Sequence, residues 1–181
     1  VENLYSLLEL FLNKKIEERS KIEVPNKILS EVSKIFNPQK KYFGIAPGAG
    51  EKNKIWSYHK YFKIIDLLKN RGFEPCFFFG PDDDLIRNKF LDYYGDLFEP
   101  EKLLSKIINI QCIMACTYYL EFALSNDSGV SHILSTAQCY LFKLFNDKKP
   151  SKFNLVNQKI KSISPNYGES INDISVKTVF E

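Results

Sequence analysis

Leu120-Glu121-Phe122-Ala123-Leu124-Ser125-Asn126-Asp127-Ser128-Gly129-Val130-Ser131-His132 is an apolar run that ends in a polar turn. Residues 120–125 read as a buried strand, and the turn opens a helix expected over 129–137. A helix start carries free backbone N–H groups and the positive end of the helix dipole, so it suits a bound anion. Upstream, Tyr42 to Ala46 is another apolar run, followed by Pro47-Gly48-Ala49-Gly50 and then by Lys54 and Trp56. Two strand-to-loop turns of this kind can face one ligand across a parallel sheet.

The pattern continues on both sides. Strand 42–47 leads through the glycine loop to a helix over 58–70, where Tyr61, Phe62, Ile64, Ile65, Leu67 and Leu68 give a broad apolar face ended by Gly72. Phe73 to Gly80 reads as the next strand, with Phe77-Phe78-Phe79 the kind of run that a parallel sheet buries on both faces. Pro81-Asp82-Asp83-Asp84 reads as the cap of a following helix, since acidic residues suit a first turn; a metal site is the alternative for its three carboxylates. Helices are expected around 100–107 and 110–118, strands over 140–145 and 160–163, and a last helix from about Asn172. Repeated strand-helix units predict an α/β fold, a Rossmann-like parallel sheet with helices on both faces. Ahead of it, Leu4, Leu7, Leu8, Phe11 and Leu12 give residues 2–15 an amphipathic helical stripe, Lys14 to Glu23 reads as a linker, and Pro25 starts a short helix through Phe36. The expected organisation is a helical segment over 1–40 and one Rossmann-like domain over 41–181.

Composition narrows the function classes. A net charge of +3 with only three arginines (19, 71 and 87) argues against a nucleic-acid surface, which favours bidentate phosphate contacts. A mildly basic face leaves anionic sugars or membrane lipid open. No stretch approaches the roughly 20 apolar residues of a membrane span, and no basic-then-apolar signal opens the chain, so a soluble, cytoplasmic protein is expected. Cys76, Cys112, Cys116 and Cys139 sit in apolar settings without a tight C-x-x-C pair, which predicts buried, reduced thiols rather than a metal site.

The segments PGAGEKNKIW (47–56) and NDSGVSH (126–132) together resemble the donor half of the ADP-heptose:lipopolysaccharide heptosyltransferases, which have the two-domain GT-B fold. In that family a P-G-A/S loop with a downstream K-x-W precedes one helix, and an N-D-S/T-G-x-x-H turn precedes another. The resemblance continues through Phe79-Gly80-Pro81-Asp82 and Leu141-Phe142-Lys143-Leu144-Phe145 and covers roughly Tyr42 to Ser164. It implies that this chain corresponds to the C-terminal, nucleotide-sugar-binding domain. The N-terminal acceptor domain, which carries the acidic general base in this family, would then lie outside it. The implied activity is inverting, metal-independent transfer of a heptose-like sugar from ADP-heptose or another nucleotide sugar to a lipopolysaccharide-type glycolipid, with no cofactor and with peripheral inner-membrane association left open. A nucleotide-binding module without chemistry is the alternative.

Sugar transfer from a nucleoside diphosphate needs groups that hold the growing charge of the leaving diphosphate. Gly48, Ala49 and Gly50 can turn N–H groups inward and let phosphate approach, or can be a surface turn. Lys54 matches the K-x-W lysine and is expected at the diphosphate, with a solvated surface lysine as the alternative. Asp127 is placed as an N-cap of the helix. The resemblance implies in addition that Asp127 hydrogen-bonds donor-sugar hydroxyls while Ser128 and Gly129 offer N–H groups to the diphosphate. His132 is either a phosphate or acceptor contact or a core histidine; no acidic partner at local spacing marks it as a base. Trp56 is expected to pack the loop against the next helix. For the nucleoside, Ile113 and Met114 or Pro81 and Asp82 are candidates. Two departures leave base and ribose contacts open: Asn146 stands where a glycine often follows the L-F strand, and no S/T-L segment is evident near 96–105.

Overall fold

A computed structural model of the chain describes residues 23–104, 106–107, 109–136, 139–146 and 159–181. The expected helix over 2–15 and most of the 14–23 linker lie outside the described residues. Five strands, β1 (Lys41–Ala46), β2 (Phe73–Phe77), β3 (Leu120–Asn126), β4 (Tyr140–Leu144) and β5 (Ile160–Ile163), form one sheet in the order β2-β1-β3-β4-β5. Every neighbouring pair is parallel. From β1 the chain steps to β2 on one side and later returns to β3 on the other. The boundary between β1 and β3 is therefore the topological switch point, where loops leaving the strands' carboxyl ends diverge and open a crevice.

The helices are α1 (Asn26–Ser33), α2 (Tyr58–Lys69), α3 (Asp84–Tyr94), α4 (Pro100–Leu103), α5 (Asn109–Cys116), α6 (Gly129–Leu134) and α7 (Val176–Phe180). Side chains along β1 alternate between two cores, as a pleated strand requires. Tyr42 and Ala46 pack with Val32, Phe36, Cys112 and Leu134 on one face, while Phe43 and Ile45 pack with Trp56, Tyr61, Ile65 and Phe90 on the other. Val24, Val32 and Phe36 thus join the domain core, and the Phe36 ring stacks on Tyr119 with centroids 4.9 Å apart. All four cysteines are unbridged and buried, as their apolar settings predicted.

Helix α2 buries Tyr61, Phe62, Ile64 and Ile65 of the face that its sequence spacing marked, with Leu68 partly buried, while Leu67 turns out to be exposed. It stops where Gly72 adopts φ 83°, a left-handed conformation open to glycine, and donates its N–H to the Lys69 carbonyl. Three expected elements are shorter than their sequence pattern. Strand β2 ends at Phe77 because beyond Phe78, whose N–H still reaches the Ile45 carbonyl, the Gly80 N–H is taken by the Asp83 carboxylate at 2.6 Å. The helix expected over 100–107 shrinks to α4, since Leu104 leaves helical backbone at φ −116°, ψ 43°. Helix α6 ends at Leu134, where the hydroxyls of Ser135 and Thr136 donate to the carbonyls of His132 and Ile133. The tail forms a 3₁₀ turn, Ile171–Asp173, and then α7.

Around α4, Glu99 is buried and paired through both carboxylate oxygens with Arg87, at 2.7 to 3.1 Å. Burial, and then the Glu99 charge, push Glu101 up from 4.5 to about 7. A carboxyl whose folded value lies above its unfolded one stabilises the fold in its protonated form. That contribution is complete below about pH 4.5 and is lost as pH rises through about 7. Glu101→Gln is expected to flatten the decline of the urea midpoint across this window; a decline unchanged in the variant would assign it to other groups.

Candidate functional site

The loops that follow β1 and β3 meet at the switch point because one side chain ties them. Asn126, fully buried at the end of β3, donates from Nδ2 to the Pro47 carbonyl at 2.6 Å. Its Oδ1 accepts from the Trp56 backbone N–H at 3.3 Å and from the Tyr61 hydroxyl at 3.0 Å. Trp56 is itself fully buried against Tyr61, and its indole N–H donates to the Ile174 carbonyl at 3.0 Å. The tryptophan has the packing role expected of it, and the glycine loop is fixed at both ends.

A cleft of about 320 Å³ opens between these loops, lined by Ala49, Gly50, Gly80, Pro81, Asp82, Asp83, Ser128, Gly129, Val130 and Ile133. It brings together Ala49, Gly50, Pro81, Asp82, Ser128 and Gly129 of the expected site residues. Ile113 and Met114 do not reach it: both are buried in the core on the α5 side of the sheet, so the two nucleoside candidates that adjoin the cleft are Pro81 and Asp82. A second cavity, of about 250 Å³, among Ile64, Leu68, Phe73, Phe122 and Phe142 has Arg71 as the one charged residue in its lining. It lies away from the loops and lacks their polar groups.

The two loop glycines differ. Neither Gly48 nor Gly50 is among the glycines with positive φ, which among the described residues are Gly72, Gly95 and Gly168. Gly48 is needed for space: a Cβ there would overlap the Asp83 carboxylate, whereas a Cβ on Gly50 would meet nothing within 4 Å. Asp83 lies over Gly48 with its Oδ2 held by the Gly80 N–H, and its carboxyl is raised above the usual range by burial, against the lowering effect of that hydrogen bond. Asp83 is the residue before α3, yet it caps the turn at Gly80 and makes no side-chain bond to the helix. Among the described residues no group of three or more His, Cys, Asp and Glu is placed to hold a metal ion.

Beside the cleft, the cap expected at Asp127 belongs to Ser128. Its Oγ accepts from the Ser131 N–H and the Ser131 hydroxyl accepts from the Ser128 N–H, a reciprocal capping box. Asp127 is displaced from capping by an ion pair: its Oδ1 lies 2.7 Å from Nζ of Lys143 and 4.0 Å from Nε2 of His132. Turn geometry thus supplies His132 with the acidic neighbour that local spacing did not suggest. Burial and the Lys143 charge hold His132 below its usual range, with Asp127 opposing. Lys54 pairs with Glu51 at 2.9 Å, which raises it, and Asp127 acts on it in the same sense from farther away.

The sequence pattern places Lys143 inside an apolar strand and assigns it no role; the signal that marks it is a lysine within Leu-Phe-Lys-Leu-Phe. Its residue is 2 % exposed. Asn126 and Asp83 were likewise missed as structural determinants of the cleft, because their roles come from residues far away in sequence. Gly48→Ala is expected to dislodge Asp83 and to destabilise the domain by about 1–3 kcal/mol, as overpacking does. In an Asp83→Ala background, where the overlapping carboxylate is gone, the same Gly48→Ala change should cost much less in urea denaturation; an equal cost in both backgrounds would show that the Asp83 contact is not what requires the glycine.

A sequence profile of glycosyltransferase family 9 (heptosyltransferase) matches residues 1–178. No curated protein sequence matches the chain. Among solved structures, the chain is similar to the E. coli ADP-heptose lipopolysaccharide heptosyltransferase II, with TM-score 0.74 and 19% identity over 88% of this chain and 51% of that one. It is similar to a family 9 glycosyltransferase from Veillonella parvula, with TM-score 0.79 and 14% identity over 98% of this chain and 56% of that one. E. coli heptosyltransferase WaaC, solved with ADP, matches with TM-score 0.68 and 15% identity over 94% of this chain and 52% of that one. The chain therefore spans about half the length of the structures it resembles.

Proposed function

The chain belongs to glycosyltransferase family 9 (heptosyltransferase), and on that premise we propose that its cleft binds the nucleoside-diphosphate sugar donor of a sugar-transfer reaction. The observation that carries this reading is the meeting of the β1 and β3 loops at the switch point. There a cleft is lined by Gly50, Ser128 and Gly129; Gly48, Lys54, Asp127 and His132 are not in its lining, but Asp127 directly precedes Ser128, His132 lies 4.0 Å from the Asp127 carboxylate, and Lys54 interacts with that carboxylate at longer range. Solved relatives hold ADP and an ADP-heptose analogue, which favours an adenine nucleotide as the donor here.

In the proposed reaction an acceptor hydroxyl attacks the anomeric carbon as the bond to the diphosphate breaks, with inversion and without a metal. The backbone N–H of Gly129 and the ammonium of Lys54 would face the diphosphate, where negative charge grows in the transition state; the Ser128 N–H, expected there too, is instead taken by the Ser131 hydroxyl, so Ser128 contributes as a wall of the cleft. Asp127 would take donor-sugar hydroxyls, and His132, beside it, a phosphate or the acceptor. Pro81 and Asp82 border the nucleoside end. The base that deprotonates the acceptor is assigned to a second domain, because Asp127 is engaged with the sugar and with Lys143. The acceptor, a lipopolysaccharide-type glycolipid, would be bound there too. No helix among the described residues is long and apolar enough to cross a membrane. The second reading, a nucleotide-sugar-binding module, shares the same cleft and differs in having no partner domain that completes the chemistry.

Calorimetry with ADP, UDP, GDP and an ADP-sugar tests the donor site directly; ADP is expected to bind best, and a folded chain that binds none of them would refute the reading. Asp127→Ala is expected to weaken ADP-sugar binding far more than ADP binding, and equal weakening would remove Asp127 from the sugar. Lys54→Ala should lower ADP affinity in a salt-sensitive way while Lys52→Ala does not. Sugar transfer to a glycolipid is expected when a partner domain is supplied, and turnover by this chain alone would reassign the base to Asp127 or His132.

A further inference from the structure

Lys143 is a buried charge in a sheet whose other buried side chains are uncharged. Its neighbours along β4, Leu141 and Leu144, belong to the two cores, and in register it lies between Ser125 of β3 and Ser162 of β5. Its Nζ stands 2.7 Å from Asp127 Oδ1 and 5.0 Å from the Phe145 ring centroid. Removing an ammonium from water costs several kcal/mol unless it is paired, and a methionine of similar length would avoid that cost. Burial lowers the affinity of Lys143 for its proton, Asp127 offsets this in part, and the Lys54 charge lowers it further. Lys143, Asp127, His132 and Lys54 thus form one electrostatic group, with Glu51 on its outer side.

That group addresses a conflict within the cleft. Asp127 directly precedes Ser128 and Gly129, which line it, so an uncompensated carboxylate would repel any diphosphate bound there. Resting on the donor-site reading above, we propose that Lys143 is a charge-balancing and positioning residue. It cancels the Asp127 charge so that a sugar-binding carboxylate and an anionic diphosphate can occupy one cleft. By engaging Oδ1 it also leaves Oδ2 as the oxygen offered to a sugar hydroxyl.

Bare ADP is the probe, because it carries the diphosphate without the sugar and so reads the charge balance alone. Calorimetry on the full chain compares wild type, Lys143→Met, Lys143→Arg and the double variant Asp127→Asn/Lys143→Met. Lys143→Met is expected to weaken ADP by about 10-fold, in line with coupling energies between contacting charges. The double variant, which removes both charges, is expected to regain the lost affinity, and Lys143→Arg to keep most of it. A Lys143→Met protein that binds ADP as well as wild type overturns the proposal and leaves the donor site standing. Failure of the double variant to recover also overturns it, since the loss would then come from shape rather than charge. If Lys143→Met does not fold, the other two variants decide: both should bind ADP close to wild type, and a loss in both rejects the charge-balancing role. A folded wild-type chain that binds no ADP refutes the donor site itself and this proposal with it.

Discussion

The cleft exists because Asn126 holds two loops from opposite sides of the switch point. A parallel sheet puts the ends of β1 and β3 side by side, but adjacency does not fix where the chains go next. Asn126 does so by donating to Pro47 and accepting from Trp56 and Tyr61, all within a region closed to water. In such a place each unmade hydrogen bond costs about 1–3 kcal/mol, so the amide must sit where all three partners are. The position of Trp56 follows, and with it the start of α2 and the closure of the tail through Ile174.

Packing against Asp83 performs the corresponding task on the other wall. Its carboxylate needs the space that Gly48 leaves and the N–H that Gly80 provides, so the β1 and β2 loops are matched to each other. The glycine loop is thereby shaped from three directions. Gly48 supplies room for another part of the protein, while Gly50 faces open space and borders the cleft. Two glycines in one short motif therefore have different physical reasons for being there.

Charge follows a similar logic. Asp127 and Lys143 are each nearly removed from solvent, and a buried pair of this kind gains little net stability over apolar residues of equal volume. What it does provide is a fixed carboxylate orientation at the edge of the cleft. Burial lowers the affinity of His132 for a proton, and the two members of the pair act on it in opposite senses, Lys143 lowering it further and Asp127 raising it.

Much of this architecture was legible in the chain. The apolar runs at Tyr42, Phe73, Leu120, Tyr140 and Ile160 are strands, the face of α2 is buried as its spacing implied, and the turn residues mark where strands yield to loops. Local propensity and hydrophobic period suffice for those features because they depend on neighbours a few residues away. The sequence motifs also marked the two loops that form the cleft. What only the tertiary structure decided is which side chains those loops engage: Ser128 rather than Asp127 as the cap, Asp83 over Gly48, Ile113 and Met114 in the core, and Lys143 under Asp127. Each depends on burial or on a partner from another strand, and a buried ion pair or close contact between distant residues leaves no periodic trace in sequence.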